Sequence, residues 1–402
     1  DRRVAKASAS VWIYFEGKYI HAEFFNFYSE HEVRRVVQLV CRYGNPGPLT
    51  EKRGYIVNTM YDQSRVLALR PPVAEYWAVF IRKFDLGDMT LEKLIDPLIL
   101  EPQTRQPKLD EDGNVIHKYK NAQLPYNAIS YLMRGQVTCG FTGRQGSGKT
   151  TMMKYALSKA DARLTLRILE MTFELYGREI YTDRNILSVQ ETATVTAAEL
   201  QDALKKSDAA ISIVGEVATD IISSLITQRS QVTATRMIQM GQVASIFTIF
   251  SHHANRTEDL VQALTNSIVA SSGGAATQDT VEPQVIDVVK MDVHLDYDVQ
   301  GNRYIERMTE IVRTDKNMAY VHVDPLNVLA SLAENQKRYY EKQTENRRFK
   351  AVDIMHFNKE TWTYEVDNYF SAALTKHLLD RLPPEYVDEF IDWSAENWKE
   401  AS

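Results

Sequence analysis

Two cysteines in 402 residues are too few for a disulfide framework or a thiolate metal site. Cys41 and Cys139 each lie inside an apolar run, the pattern of a small buried side chain, and buried reduced thiols fit the cytoplasm. No run of about 20 apolar residues is present. The first residues carry no basic, apolar and cleavage-site succession, so neither a membrane span nor a secretory signal is expected. One of the two longest stretches free of Asp, Glu, Lys and Arg, Met237 to Asn255, holds Gln239, Gln242, Ser245, Thr248 and two histidines, too much polarity for a bilayer. It reads as a helix end followed by a buried strand. Positive charge is not in excess either. With 47 Lys and Arg against 53 Asp and Glu the net charge is −6, so the chain as a whole attracts neither nucleic acid nor an anionic membrane, and function has to come from local sites. No segment repeats.

What is present is ordinary globular composition, 44% hydrophobic and 25% charged, at a length that suggests two or three domains. Residues 10–84 alternate apolar and polar in short bursts around one amphipathic segment, "SEHEVRRVVQLVCRYG", in which Ser29 and Glu32 form a capping-box pattern and Gly44 sits where a helix stops. This predicts a small α+β domain over residues 1–105, with a second helix after Thr90. A polar stretch with two prolines and an Asp-Gly turn follows, read as a linker over 106–120. From 121 to 323 helices alternate with short apolar strands, the pattern of a parallel sheet covered on both faces, ending in a hairpin with Gly301 at its turn. Residues 324–402 read as a helical extension with a charged opening.

The chemistry starts at Gly143-Arg144-Gln145-Gly146-Ser147-Gly148-Lys149-Thr150, which fits G-x-x-x-x-G-K-[ST] between an apolar strand and a helix. Glycines let backbone N–H groups turn toward a phosphate, the helix N-terminus adds its dipole, Lys149 neutralises β and γ oxygens, and Thr150, followed by Thr151, can ligate Mg²⁺. Average residue frequencies yield such an octet by chance in about one chain of this length in a hundred, before the strand and helix are required. Further on, "AAISIVGEV" places Glu216 at the carboxyl end of a parallel strand, where ligands bind in such sheets, and makes it the candidate for polarising water.

With these segments in order, the chain resembles the hexameric RecA-like ATPases that drive type II and type IV secretion and pilus assembly, and among them the branch serving tight-adherence pili. The resemblance runs over roughly residues 52–315 and rests on "RPPVAEYWAVFIRKF", the P-loop, "RILEMTFEL", "SIVGEV" and "FSHHAN". It implies an acidic box at Glu170 and Glu174, with Glu170 beside Thr150 at Mg²⁺, Glu216 as the Walker B acid, His253 as a sensor of nucleotide state, and Arg82 as an N-terminal-domain arginine that reaches phosphate. The family's Glu-Asp pair stands here as Glu170-Met171, and the arginine after its Walker B segment as Ala218.

The resemblance further implies an α/β, RecA-like ATPase domain and a cytoplasmic motor that hydrolyses ATP with Mg²⁺. Such a motor assembles as a homo-hexamer and works at the cytoplasmic face of the membrane, on an inner-membrane platform protein of a pilus or secretion system. Two other readings fit parts of the chain: a DNA-translocating ATPase of a conjugation system, and a structural subunit that keeps the P-loop without hydrolysis. Against the first stands the acidic net charge, the one basic-aromatic tract being "ENQKRYYEKQTENRRFK". No direct nucleic-acid partner is expected. Double-stranded DNA at physiological salt is therefore expected neither to bind well nor to stimulate hydrolysis; a strong, salt-sensitive stimulation would favour the translocase.

Overall fold

The computed structural model describes residues 10–15, 18–25, 27, 29–43, 47–62, 64–83, 99, 101, 106–110, 112–170, 173–191, 195–217, 229–243, 245–314, 325, 327–344 and 348–397. The helix expected after Thr90, and Gly44, Met171 and Ala218, fall outside them. Chain contacts divide the protein into two units, Asp1–Met89 with Asp298–Gly301, and Thr90–Tyr297 with Asn302–Ser402.

The first unit holds a hairpin of β1 (Trp12–Phe15) and β2 (Lys18–His21), helix α1 (Glu30–Arg42), and an antiparallel sheet of β3 (Tyr55–Thr59), β4 (Arg65–Leu69) and β5 (Ala78–Arg82). Ser29 caps α1 by accepting the Glu32 N–H, while the Glu32 carboxylate takes the Arg35 guanidinium rather than closing a reciprocal box. Val33, Val37 and Cys41 recur every fourth residue, so one stripe of α1 is apolar; it packs with Ile56, Ala68 and Trp77. This is the small α+β fold that the alternation predicts.

The second unit is built on a nine-stranded sheet in the order β14-β13-β12-β11-β6-β10-β9-β7-β8. Strands β6 (Cys139–Gly143), β7 (Leu166–Glu170), β8 (Ile186–Gln190), β9 (Ile211–Val214), β10 (Phe247–His252) and β11 (Met291–Tyr297) run parallel. Five of the six are buried nearly throughout because helices cover both faces. On one face Cys139, Phe141, Met291 and Val293 share a core with α2 (Gln123–Arg134) and α3 (Lys149–Lys159). On the other, Val214 and Phe250 meet α6 (Arg229–Val243), α7 (Thr257–Ser271) and α8 (Gln278–Val288). Two shorter helices, α4 (Gly177–Ile180) and α5 (Ala197–Leu204), complete the crossovers. The reading of Met237–Asn255 as helix end plus strand holds.

Strand β12 (Arg303–Arg313) returns antiparallel to β11, with Gly301 at φ +85° in the turn. The region after Asp324 departs from a purely helical extension. It does contain α9 (Val328–Thr344), α10 (Ala372–Arg381) and α11 (Pro384–Asn397), but β13 (Phe349–Asn358) and β14 (Thr363–Val366) between them prolong the sheet beyond β12. Its pairing partner lies some forty residues earlier in the chain (Thr309 to Asp353, a separation of 44), beyond any local pattern. Helices α10 and α11 then fold over α2. The Tyr131 ring lies 5.2 Å from Phe390 and 5.1 Å from Trp393, its hydroxyl donates to Glu389 at 3.0 Å, and the backbone N–H of Ser371, the α10 N-cap, donates to Glu310 of β12 at 2.8 Å.

If the C-terminal helices are part of this core rather than an appendage, Phe390→Ala should destabilise the unit by about 3–5 kcal/mol, the usual cost of truncating a buried aromatic. Denaturant unfolding checks this; an unchanged midpoint would detach α11 from the core.

Candidate functional site

Strand β6 runs at the centre of the sheet, flanked by β10 and β11, and ends at Gly143. Gly143 has φ +133°, and a Cβ there would stand 2.0 Å from the Leu295 carbonyl oxygen, so no other residue fits this close approach to β11. Gly146 (φ +81°) and Gly148 (φ +99°) continue the left-handed turns, and Gly148 precedes the first turn of α3, which has no acidic residue of its own. The result is a concave loop at a helix N-terminus, a phosphate cradle. Within it the Ser147 hydroxyl is buried with no hydrogen-bond partner among the described residues. An orphaned donor at this point fits an incoming anion.

The loop is held from the side by β11 and β12. Arg144 donates to Asp296 through Nε at 2.9 Å and to the Tyr297 carbonyl at 2.9 Å, with its guanidinium 4.6 Å over the Tyr297 ring. Arg303 donates to the Gly146 carbonyl at 2.8 Å. Gln145 at the apex is exposed, and Thr151 lies half-buried in α3.

Lys149 is 8% exposed and its ammonium donates to the carbonyls of Gly143 (2.9 Å) and Arg144 (3.0 Å). The Nδ1 of His253 lies 3.2 Å away, and His253 Nε2 is 3.2 Å from Glu216 Oε1. Nδ1 thus stands between two groups, the Lys149 ammonium, from which only an unprotonated nitrogen accepts, and the Gly143 carbonyl at 3.0 Å, to which only an N–H donates, while Nε2 faces Glu216. His253 and Lys149 hold the Glu216 carboxyl below the usual range, His253 foremost by its hydrogen bond, so Glu216 is an ionised, half-exposed carboxylate. His252 points the other way, buried, donating to the Val217 carbonyl at 2.6 Å; desolvation pushes its pKa down to about 4.

Glu170 ends β7 and is buried against Gly215, where a Cβ would come within 2.9 Å of its Cγ. Its Oε1 accepts the N–H groups of Glu174 and Leu175, both at 2.9 Å, and burial pushes its pKa up to about 7. Glu170 thus shapes the turn that presents Glu174, and it is Glu174 that reaches the Thr150 hydroxyl, at 3.4 Å. Among the described residues no group of three or more His, Cys, Asp or Glu side chains could hold a metal ion by itself. The Thr150 hydroxyl and the Glu174 and Glu170 carboxylates are nevertheless hard oxygen donors, the set Mg²⁺ takes when it shares its shell with phosphate. Arg82 belongs to the other unit, exposed at the end of β5 opposite Arg65.

Sequence reasoning passed over β11. In "MDVHLDY" the residues Asp292, His294 and Asp296 alternate with apolar ones in a strand that is buried over most of its length, and this polar face is a legible signal. His294 Nδ1 meets the Thr142 hydroxyl at 2.8 Å, its Nε2 lies 3.5 Å from Glu306, and desolvation foremost, then Arg307, lowers its pKa to about 4.

A largely parallel sheet with helices on both faces and a G-x-x-x-x-G-K-T loop at the carboxyl end of its central strand defines an α/β P-loop fold. Scanned against models of protein families the chain matches none, and a search of curated proteins returns no match. Among solved structures it is similar to the VirB11 ATPase from the Brucella suis type IV secretion system in complex with sulphate, at 17% identity and TM-score 0.39 over 75% of this chain and 86% of that one. It is also similar to the pilus retraction motor PilT with bound ADP, at 12% identity and TM-score 0.47 over 84% of this chain and 83% of that one.

His252 and His294 set the acid limit of the fold. The unfolded chain takes these protons near pH 6.5, the folded chain only near 4, so between the two the unfolded state binds more protons and stability rises with pH. Their contribution is complete above about pH 6.5 and lost as pH falls toward 4. Glu170, raised, acts in the opposite sense. Thermal midpoints between pH 7 and 4.5 should fall less steeply in His252→Asn than in the parent, by about 1–3 kcal/mol over that span; equal slopes would contradict the assignment.

Proposed function

We propose that this chain is an ATP-hydrolysing motor subunit that works as a six-membered ring at the cytoplasmic face of a membrane and passes movement to a platform protein of a pilus or secretion system. The observation that carries the reading is the line from Lys149 through His253 to Glu216, which joins the phosphate cradle to an ionised carboxylate at the end of the next strand but one. A cradle for binding alone does not need such a carboxylate; hydrolysis does, to orient and polarise water. The order of motifs along the chain supports the secretion and pilus class and its partners.

In the resting arrangement Lys149 is occupied by the carbonyls of its own loop. An arriving phosphate competes for that ammonium, and because His253 shares it, release of the carbonyls is felt at Nδ1 and passed through Nε2 to Glu216. This is how His253 would sense the nucleotide. Mg²⁺, when bound beside Thr150, supplies neutralisation of charge on the β and γ oxygens. Glu174 and Glu170 hold the acidic wall of that site, and Lys154, near both, offsets part of their repulsion.

Lys149→Ala should abolish nucleotide binding and turnover together, since that ammonium serves ground and transition states alike. Glu216→Gln keeps the size and removes the charge. It should bind Mg-ATP about as tightly as the parent while turnover falls roughly 10²-fold, the scale of a lost acid-base group. Phosphate release measured beside nucleotide titration decides; near-normal turnover in Glu216→Gln would move the role to Glu170 or Glu174, and parent rates in Lys149→Ala would sink the phosphate site.

A further inference from the structure

Asp292 lies on β11 with no exposed surface, a carboxylate at the centre of the sheet that the proposed hydrolysis does not use. Such a group persists only when its oxygens are satisfied. Its Oδ1 accepts the Thr142 hydroxyl at 2.5 Å and its Oδ2 accepts the Thr257 hydroxyl at 2.7 Å, with the Arg307 guanidinium 3.8 Å from Oδ2. Thr142 has one hydroxyl proton, given to Asp292, so at its contact with His294 the imidazole Nδ1–H is the donor. The two threonines belong to different segments. Thr142 immediately precedes Gly143, whose carbonyl takes the Lys149 ammonium; Thr257 is the first residue of α7 and closes the turn His253-Ala254-Asn255-Arg256. Arg307 grips the same turn by donating to the Asn255 carbonyl at 2.9 Å.

We infer that Asp292 is a positioning residue whose two carboxylate oxygens tie the end of the P-loop strand to the start of α7, fixing the turn that carries His253 against Gly143 and Lys149. The inference rests on the hydrolytic reading of the site and adds to it a residue that touches no nucleotide. His253 links the cradle to Glu216 in the line described above, and because its ring is half-exposed, its Nδ1 position 3.0 Å from the Gly143 carbonyl leans on the backbone of the turn that carries it. The tie through Thr257 does so from behind. Loosening it should leave the P-loop backbone and Lys149 able to bind phosphate, while Glu216 loses its alignment.

The test uses two substitutions at Thr257 that separate hydrogen bonding from packing. Thr257→Val keeps the shape and removes the hydroxyl; Thr257→Ser keeps the hydroxyl. In nucleotide-free protein of unchanged melting midpoint, amide exchange over residues 253–256 should quicken about fivefold or more in the Val variant, and stay at the parent rate in the Ser variant. With Mg-ATP, the Val variant should turn over about 10-fold more slowly, with affinity within about threefold of the parent. Its effect should nearly vanish, to less than about twofold, in a His253→Ala background. Asp292→Asn, which removes the charge but not the shape, should behave as the Val variant does. Equal behaviour of Val and Ser, unchanged exchange in Val, or losses that add to that of His253→Ala would overturn the inference. A parent that hydrolyses no ATP would overturn the motor reading instead, and the exchange measurement would still decide the role of Asp292.

Discussion

An ammonium withdrawn from water has to find oxygen or nitrogen partners, and Lys149 finds them in the main chain of its own loop. That requirement organises the site. The Gly143 carbonyl can face Lys149 only because Gly143 adopts a positive φ against the Leu295 backbone, which places β11 in direct contact with the end of β6. His253 then occupies the remaining side of the ammonium, and through it Glu216 is held. The loop is thus closed on itself, and an anion that bound here would exchange partners with the Lys149 ammonium rather than fill an unsatisfied charge.

The acidic wall divides two tasks that one carboxylate could not perform together. Glu170 is too buried to stay ionised cheaply, with its pKa near 7, and one of its oxygens already accepts two backbone N–H groups. Glu174, less buried, is the oxygen donor that touches Thr150. The nearby Lys154 has its pKa lowered by its own desolvation, an effect that these two acids partly offset.

Much of this was legible in the chain. The octet Gly143–Thr150 declares its loop because only glycines tolerate the turns, and its strand and helix follow from apolar run and spacing. Glu216 was legible from its place after a strand, and His253 only through the resemblance carried by "FSHHAN". The resemblance put Glu170 beside Thr150, whereas Glu174 is the carboxylate that reaches it, because which of the two accepts the backbone amides depends on Gly215 leaving room beside Glu170, a contact across two strands. Asp292 and Arg303 escaped for the same reason: their partners lie 150 and 157 residues away, and only the alternation in "MDVHLDY" hinted at a polar face. Strands β13 and β14 were hidden in a charged segment whose partner is β12.

The central strand of the sheet also fixes an order of events during synthesis. Strand β6 is flanked by β10 and β11, both encoded more than a hundred residues downstream, and the P-loop takes its side-chain supports from Asp296 and Arg303. A ribosome that has released residues up to α3 has therefore made every letter of the P-loop and none of the walls that shape it. With such long loop closures the shape of this loop is a late product of folding, formed only when the β11–β12 hairpin has docked.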